Sequence, residues 1–268
     1  MSASILSPAK INLMLRIIGQ RADGYHLLQT YFQLLNWGDS MCFDLTNSDK
    51  IEIHGDFQGL AVENNLIYKA ARLLLPFRKK TDGICIHVEK KIPQGSGLGG
   101  GSSNAGTCLR ILNNLWQCEL SQQQLQKLGL TLGADVPIFV LNQSAMATGI
   151  GEQLTPLQVK KYYYVLIFPK TSIATADIFS EKKLVRNQQL IENIKIHDKN
   201  YWTNACLPIV LHKFPELKEI YTMTSQFSKI YLSGTGSTLY ACFSDKNEAI
   251  IFQKKSPENI KTILCEAK

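Results

Sequence analysis

The sequence predicts an α+β protein of two domains, and three observations carry that expectation. Strand-like alternation and helical periodicity occur in both halves of the chain, so the two element types are mixed rather than segregated. A length of 268 residues suits two domains of ordinary size. The pattern is interrupted at 155–161 by Pro156 and the adjacent Lys160 and Lys161. The boundary is placed there, with domains at 1–157 and 158–268.

The elements follow in order. Residues 9–18 are dominated by apolar alternation and read as a strand, and Arg21-Ala22-Asp23-Gly24 has turn chemistry. Residues 27–35, 41–45 and 50–54 read as three further strands. Asn64 or Asn65 caps a helix reaching Leu75, with Leu66, Ala70, Leu73 and Leu74 on its apolar face and Pro76 ending it. Ile84, Ile86 and Val88 alternate with Cys85, His87 and Glu89, which gives a strand with one buried face. A glycine-rich loop leads from it into a helix over 103–116. Ser121 and Gln124 form a capping box for a short helix. Strands are expected at 145–148 and 162–168. The second half is more helical, with periodicity at 200–212, 215–227 and 247–254. A strand, glycine turn and strand lie at 230–243.

Composition narrows the classes. Apolar residues make up 45% of the chain and charged residues 19%, which excludes intrinsic disorder for most of it. No apolar run reaches the ~18 residues of a membrane helix. Ile5 and Leu6 are followed at once by Ser7 and Pro8, so no signal peptide is expected. The 7 cysteines are odd in number and contain no Cys-x-x-Cys pair. That argues against a disulfide framework or a zinc site and for a reducing cytoplasm. The net charge of +7 suits nucleic acid, anionic lipid or a phosphorylated small molecule.

The strongest local signal is Pro93-Gln94-Gly95-Ser96-Gly97-Leu98-Gly99-Gly100-Gly101-Ser102-Ser103. Glycines between a strand and a helix let backbone N–H groups approach an anion, and the helix adds its own unsatisfied N–H groups. Gly95-x-Gly97-x-x-Gly100 matches the dinucleotide fingerprint, but Glu119 falls between two helices instead of ending a second parallel strand. A Walker loop fails because Gly101 and Ser102 follow Gly100 where Lys and Ser or Thr are needed.

The pattern Pro-x-x-x-Gly-Leu-Gly-x-x-Ser-Ser resembles the ATP loop of the GHMP kinases, the superfamily of galactokinase, homoserine kinase and mevalonate kinase. Three other segments are similar to the branch that acts on 4-diphosphocytidyl-2-C-methyl-D-erythritol. They are Ser7-Pro8-Ala9-Lys10-Ile11-Asn12-Leu13 with Gly19-Gln20-Arg21-Ala22-Asp23-Gly24-Tyr25-His26, then Gly133-Ala134-Asp135-Val136-Pro137-Ile138-Phe139, and Leu232-Ser233-Gly234-Thr235-Gly236-Ser237. The resemblance implies a two-domain fold. Its N-terminal ATP-binding domain is like domain 2 of ribosomal protein S5, its C-terminal domain is ferredoxin-like, and the active site lies in the cleft. It also implies transfer of the ATP γ-phosphoryl to the substrate 2-hydroxyl in the non-mevalonate route to isoprenoids, with Mg²⁺ accompanying ATP.

Roles follow from the same resemblance. Asp135 matches the catalytic base and Lys10 the lysine that assists it. Phosphoryl transfer needs a positioned proton acceptor and stabilised charge. Asn12 is two residues from Lys10 and so shares its face of the strand. It is assigned to substrate, as are Tyr25 and His26 at the cytidine, Thr175, and Phe179 on the opposite face of the base. Asn65 and Leu66 match positions beside adenine, and 93–103 the phosphate loop. Lys90 and Lys91 enter that loop and are placed to offset ATP charge, with a solvated strand end as the equal alternative. The metal ligand is left unassigned, Ser102 and Ser103 being the candidates. Gln94 and Ser96 stand where the family often has methionine and glycine, and Gly106 where alanine is usual. A monomer or weak homodimer is expected, without nucleic acid or membrane partners. Two alternatives stand beside this reading: another GHMP small-molecule kinase, and a non-enzymatic nucleic-acid-binding protein.

Overall fold

The computed structural model describes residues 3–158 and 160–268, and their buried apolar side chains include one cluster around Ile84, Ile86 and Leu109 and another around Val165, Ile167 and Leu239. Val159, inside the expected boundary stretch 155–161, lies outside the described residues. The chain divides into two compact units, neither a single stretch. Met1–Ala9, Trp37–Pro93 and Gly99–Gln143 form the first, and Lys10–Asn36, Gln94–Leu98 and Ser144–Lys268 form the second. Two long strands, β1 (Ile5–Gln20) and β2 (His26–Thr46), pair with each other and contribute to both units.

In the first unit the second half of β2 pairs antiparallel with β4 (Gly83–Glu89), and β4 pairs parallel with β3 (Ile51–Gly55). Four helices belong to this unit: α1 (Leu66–Leu74), α2 (Gly100–Leu115), α3 (Gln122–Leu130) and α4 (Val136–Leu141). The alternating Ile84, Ile86 and Val88 of β4 share one core with Ile67, Ala70 and Leu74 of α1 and Leu109 and Leu112 of α2, as period 2 against period 3.6 requires. Asn65 caps α1 by accepting from the Ile67 N–H at 2.9 Å, and Ser121 and Gln124 close the capping box of α3.

In the second unit the first half of β2 pairs with β5 (Ala145–Thr148), which pairs with β6 (Gln153–Pro156). A second, four-stranded sheet has the order β10-β7-β9-β8. Its strands are β7 (Tyr163–Phe168), β8 (Ile230–Leu232), β9 (Leu239–Phe243) and β10 (Lys261–Glu266). Helices α5 (Thr175–Phe179), α6 (Leu207–Lys213) and α7 (Pro215–Ser225) lie between β7 and β8, and α8 (Lys246–Lys255) between β9 and β10. All pairings in this sheet are antiparallel. This is the βαββαβ arrangement of a ferredoxin-like fold.

The structure corrects the sequence reading at several points. The strands read at 27–35 and 41–45 are one strand of 21 residues. The polar stretch between them continues because the fully buried Asp39 accepts from the N–H groups of Lys91 and Ile92 at 2.6 and 2.8 Å. Helix α2 begins at Gly100, not 103, because Gly99 turns the chain with φ 73° and accepts from the Ser103 N–H at 2.8 Å. The helix read at 200–212 begins only at Leu207, since Asn204 is held in a bridge to Leu15 and its side chain accepts from the Cys206 N–H. Strands β6 and β10 and helix α5 were not anticipated, and after Asp135 the sequence left a helix start and a strand end both open. The six residues of α4 are all buried, so no polar face marks a helical period. Among the described residues, no helix is long and apolar enough to cross a membrane.

Candidate active site

Lys10 and Asn12 alternate along β1 and are 4% and 3% exposed. The Lys10 Nζ donates to Asn12 Oδ1 at 2.8 Å and lies 5.4 Å from the Phe32 ring centre. Asn12 is held from two sides. Its Nδ2 donates to Thr30 Oγ1 at 2.8 Å, and its carbonyl accepts from the Tyr240 hydroxyl at 3.0 Å. Burial raises the Tyr240 phenol well above its ordinary pKa, so it stays a donor. The C-terminal glycine turn closes on the same pair. A Cβ placed on Gly234 would stand 3.4 Å from both Lys10 Nζ and Asn12 Oδ1 and 3.3 Å from the Gly97 carbonyl. Asn204 supports that turn by donating to the carbonyls of Leu232 and Gly234 at 2.9 and 2.8 Å. Segments 222 residues apart (Asn12 to Gly234) therefore meet at one point of the second unit.

The first stretch of the glycine-rich loop is anchored by its carbonyls. Gly95 accepts from the N–H groups of Ile173 and Ser237, Ser96 from that of Thr238 and Leu98 from that of Lys10. Gly97 accepts from the Ser233 hydroxyl at 3.0 Å. In a trans peptide the next N–H points away from the carbonyl, so these bonds turn the N–H groups of 96–99 to the opposite side. Successive N–H groups arranged in this way form an anion-binding concavity. Gly97 has φ 74°, and a Cβ there would lie 2.3 Å from the Ser233 carbonyl oxygen. Only glycine suits the position.

The second stretch opens α2 in the first unit. No side chain caps this helix, which leaves the first-turn N–H groups directed outward with the positive end of the helix dipole. The two serines differ. Ser103 is fully buried, donates to the Pro8 carbonyl at 2.6 Å and lies 2.8 Å from the Ser7 hydroxyl. Ser102 is half-buried, and its Oγ lies 4.0 Å from where a Cβ on Gly133 would stand. Asp135 is two residues beyond Gly133, immediately before α4, and its side chain makes no capping bond to that helix. Asn65 is used as the cap of α1, and Leu66 lies 3.5 Å from where a Cβ on Gly101 would stand. Lys90, expected near ATP charge, pairs with the buried Asp39 and donates to Asn104 Oδ1 at 2.8 Å, and its Nζ lies 3.5 Å from where a Cβ on Gly100 would stand. Lys91 pairs with Glu89 at the surface.

The residues assigned to cytidine are in the second unit. His26 and Phe179 stack with centroids 4.8 Å apart and planes 21° apart, and Tyr25 is 57% exposed. Arg186, which the sequence reading did not single out, donates from Nε to His26 Nε2 at 3.0 Å and to the carbonyls of Leu184, Phe179 and Glu181. Arginine only donates, so His26 is neutral with its proton on Nδ1. Burial first, and the Arg186 charge second, hold its pKa below the ordinary value. No local sequence signal marks Arg186, which falls in a run of charged and apolar residues. Thr175 opens α5, with its hydroxyl 3.2 Å from that of Thr235 in the glycine turn.

Residues 65–143 match the model of the GHMP kinases N terminal domain. A 4-diphosphocytidyl-2-C-methyl-D-erythritol kinase of Haemophilus ducreyi is 46% identical over 249 residues, which cover 91% of this chain and 86% of that protein. The chain belongs to the 4-diphosphocytidyl-2-C-methyl-D-erythritol kinase family. A crystal structure of 4-(cytidine 5'-diphospho)-2C-methyl-D-erythritol kinase superposes with TM-score 0.85 at 29% identity, covering 99% of this chain and 100% of that one. The mevalonate kinase of Methanococcus jannaschii shares the fold, with TM-score 0.70 at 14% identity over 100% of this chain and 99% of that one. The α+β architecture is therefore that of the GHMP kinases.

Within the 4-diphosphocytidyl-2-C-methyl-D-erythritol kinase family, one departure noted in the sequence has a packing cause. A Cβ on Gly106 would meet Phe139 Cβ at 2.6 Å. Helices α2 and α4 thus approach more closely here than an alanine would allow.

Proposed function

We propose that the chain transfers the γ-phosphoryl of ATP to the 2-hydroxyl of 4-diphosphocytidyl-2-C-methyl-D-erythritol. The observation that carries this is the meeting of Lys10, Asn12, Gly97 and Gly234, which joins three of the family's motifs within one unit. Asp135 accepts the proton of the attacking hydroxyl. It stands immediately before α4, two residues beyond Gly133, at the position that matches the family's base. Lys10, aligned by Asn12, stabilises the charge that develops on the transferred group. The N–H groups of 96–99 and the first turn of α2 bind the phosphates. Residues Pro93, Gln94, Asn65 and Leu66 complete the nucleotide site.

For the cytidine, Tyr25 stacks on the base together with Phe179. The Nδ1–H of His26 donates to a ring acceptor, since its Nε2 is already engaged by Arg186. Thr175 contacts the remainder of the substrate. Mg²⁺ accompanies ATP in this reading, and Ser102 fits a hard cation, because it offers a hydroxyl oxygen from the first turn of α2 beside the Gly133–Asp135 segment. Ser103 does not fit, since its hydroxyl is already committed to Pro8 and Ser7. When bound, the ion neutralises charge between the phosphates.

The division at 1–157 and 158–268, a cytoplasmic location and a monomeric or weakly dimeric state complete the proposal. Seven free thiols, five of them buried, support a reducing compartment.

An ADP-release assay tests the reading. Mg·ATP with the diphosphocytidyl substrate should release ADP, whereas mevalonate, homoserine and galactose should not. Asp135→Ala should lower kcat by about 10²–10⁴-fold with an unchanged melting curve. Turnover at the unmodified rate would remove Asp135 from the role of base.

A further inference from the structure

The outer face of the sheet in the first unit carries side chains that phosphoryl transfer does not use. On β3 and β4, Glu52 stands opposite Cys85 and His54 opposite His87. On β4 and β2, Asp44 stands opposite Cys85 and Cys42 opposite His87. The period of 2 keeps these six on one face, opposite Ile84, Ile86 and Val88 in the core. The His54 and His87 rings stack with centroids 4.8 Å apart and planes 18° apart, and Cys85 Sγ lies 3.3 Å from His87 Nε2. One donor atom from each of His54, Cys85 and His87 lies within 4.8 Å of the others.

Two imidazoles and a thiol are the donors of a borderline cation, whereas Mg²⁺ and Ca²⁺ select oxygen. Tetrahedral Zn–S and Zn–N bonds put sulfur and nitrogen about 3.6 Å apart. The Cys85–His87 separation of 3.3 Å is already of that size. His54 is exposed, so a side-chain rotation brings the third donor in without moving the sheet. Glu52 and Asp44 add negative potential beside the thiol. Burial first, then these two charges, raises its pKa, and the same field attracts a cation that replaces its proton.

We propose that His54, Cys85 and His87 form a Zn²⁺ site on this face, with water in the fourth position on the exposed side. The site joins β3, the last strand of the sheet, to β4. It thereby fastens an edge otherwise held by backbone bonds and by packing of its apolar side.

Titration of the full-length protein with Co²⁺ as the spectroscopic probe decides the matter. One equivalent should produce a thiolate-to-cobalt charge-transfer band, displaced by one equivalent of Zn²⁺ and untouched by excess Mg²⁺. Cys85→Ser should abolish the band, Cys42→Ser should keep it, and His54→Ala or His87→Ala should weaken affinity by about 100-fold or more, at or above the cost of losing a supporting group around a metal. Zn²⁺ should raise the melting temperature of the unmodified protein and of Cys42→Ser, but not of Cys85→Ser. The absence of a band at equimolar Co²⁺ overturns the proposal. So does a band that survives Cys85→Ser, or affinity that is indifferent to both histidine substitutions.

Discussion

The two stretches of the glycine-rich loop reach a similar chemical end by different physical means. In Gln94–Leu98 the carbonyls of 95–98 are all bonded by residues remote in sequence, and those bonds aim the intervening N–H groups. In Gly99–Ser103 the helix geometry of α2 leaves its own first N–H groups directed outward, with no tertiary partner needed to aim them. Donors in the first stretch depend on the C-terminal glycine turn, whereas donors in the second depend on local backbone conformation. Glycine is therefore irreplaceable at Gly97 in the first stretch and merely permissive at Gly101 in the second.

Gly97→Ala should have the larger effect. The added methyl meets the Ser233 and Gly236 carbonyl oxygens at 2.3 and 2.8 Å, at a backbone φ of 74°. A loss of about 3 kcal/mol or more in urea denaturation is expected, from left-handed strain together with a backbone clash. Stability within error of the unmodified protein would break the comparison.

Gly101→Ala should act in the opposite direction. Its nearest neighbour outside the helix is Leu66 Cδ1 at 3.5 Å, an ordinary contact. Replacing a helical glycine should raise stability by about 0.5–1 kcal/mol. Any catalytic effect should be confined to the KM for ATP. Destabilisation here would show that the second stretch is also held by tertiary bonds.

The smallest effect sharpens a third region, the His26 pair. Burial, then Arg186, lowers the His26 pKa. A neutral imidazole favoured by the fold means that stability declines as pH falls below the ordinary value of about 6.5 toward the lowered one. NMR titration should show His26 titrating below that value. Arg186→Ala should restore only part of the shift, because burial is the larger cause. Full restoration would reverse that ranking.

Much of this was legible in the sequence, and the gaps have physical reasons. The β4 alternation, the Asn65 cap and the Ser121–Gln124 box are local patterns, and each folds as read. The continuity of β2 was not legible, because it depends on Asp39 meeting amides that lie 52 and 53 residues away. Lys90 beside a phosphate loop reads as a group near ATP, while its ion pair with the buried Asp39 is visible only in the fold. Arg186 and Asn204 were missed for the same reason, since both act through carbonyls that the chain brings to them only when folded. Ser102 and Ser103 are adjacent and identical in sequence. Burial and the Pro8 carbonyl separate them.

Phosphorus NMR of the reaction mixture tests the central claim most directly. With Mg·ATP and 4-diphosphocytidyl-2-C-methyl-D-erythritol, a phosphomonoester resonance should grow as the γ-phosphate of ATP disappears, while the cytidine diphosphate ester stays intact. Release of inorganic phosphate alone, or no loss of ATP with folded protein present, would contradict the account.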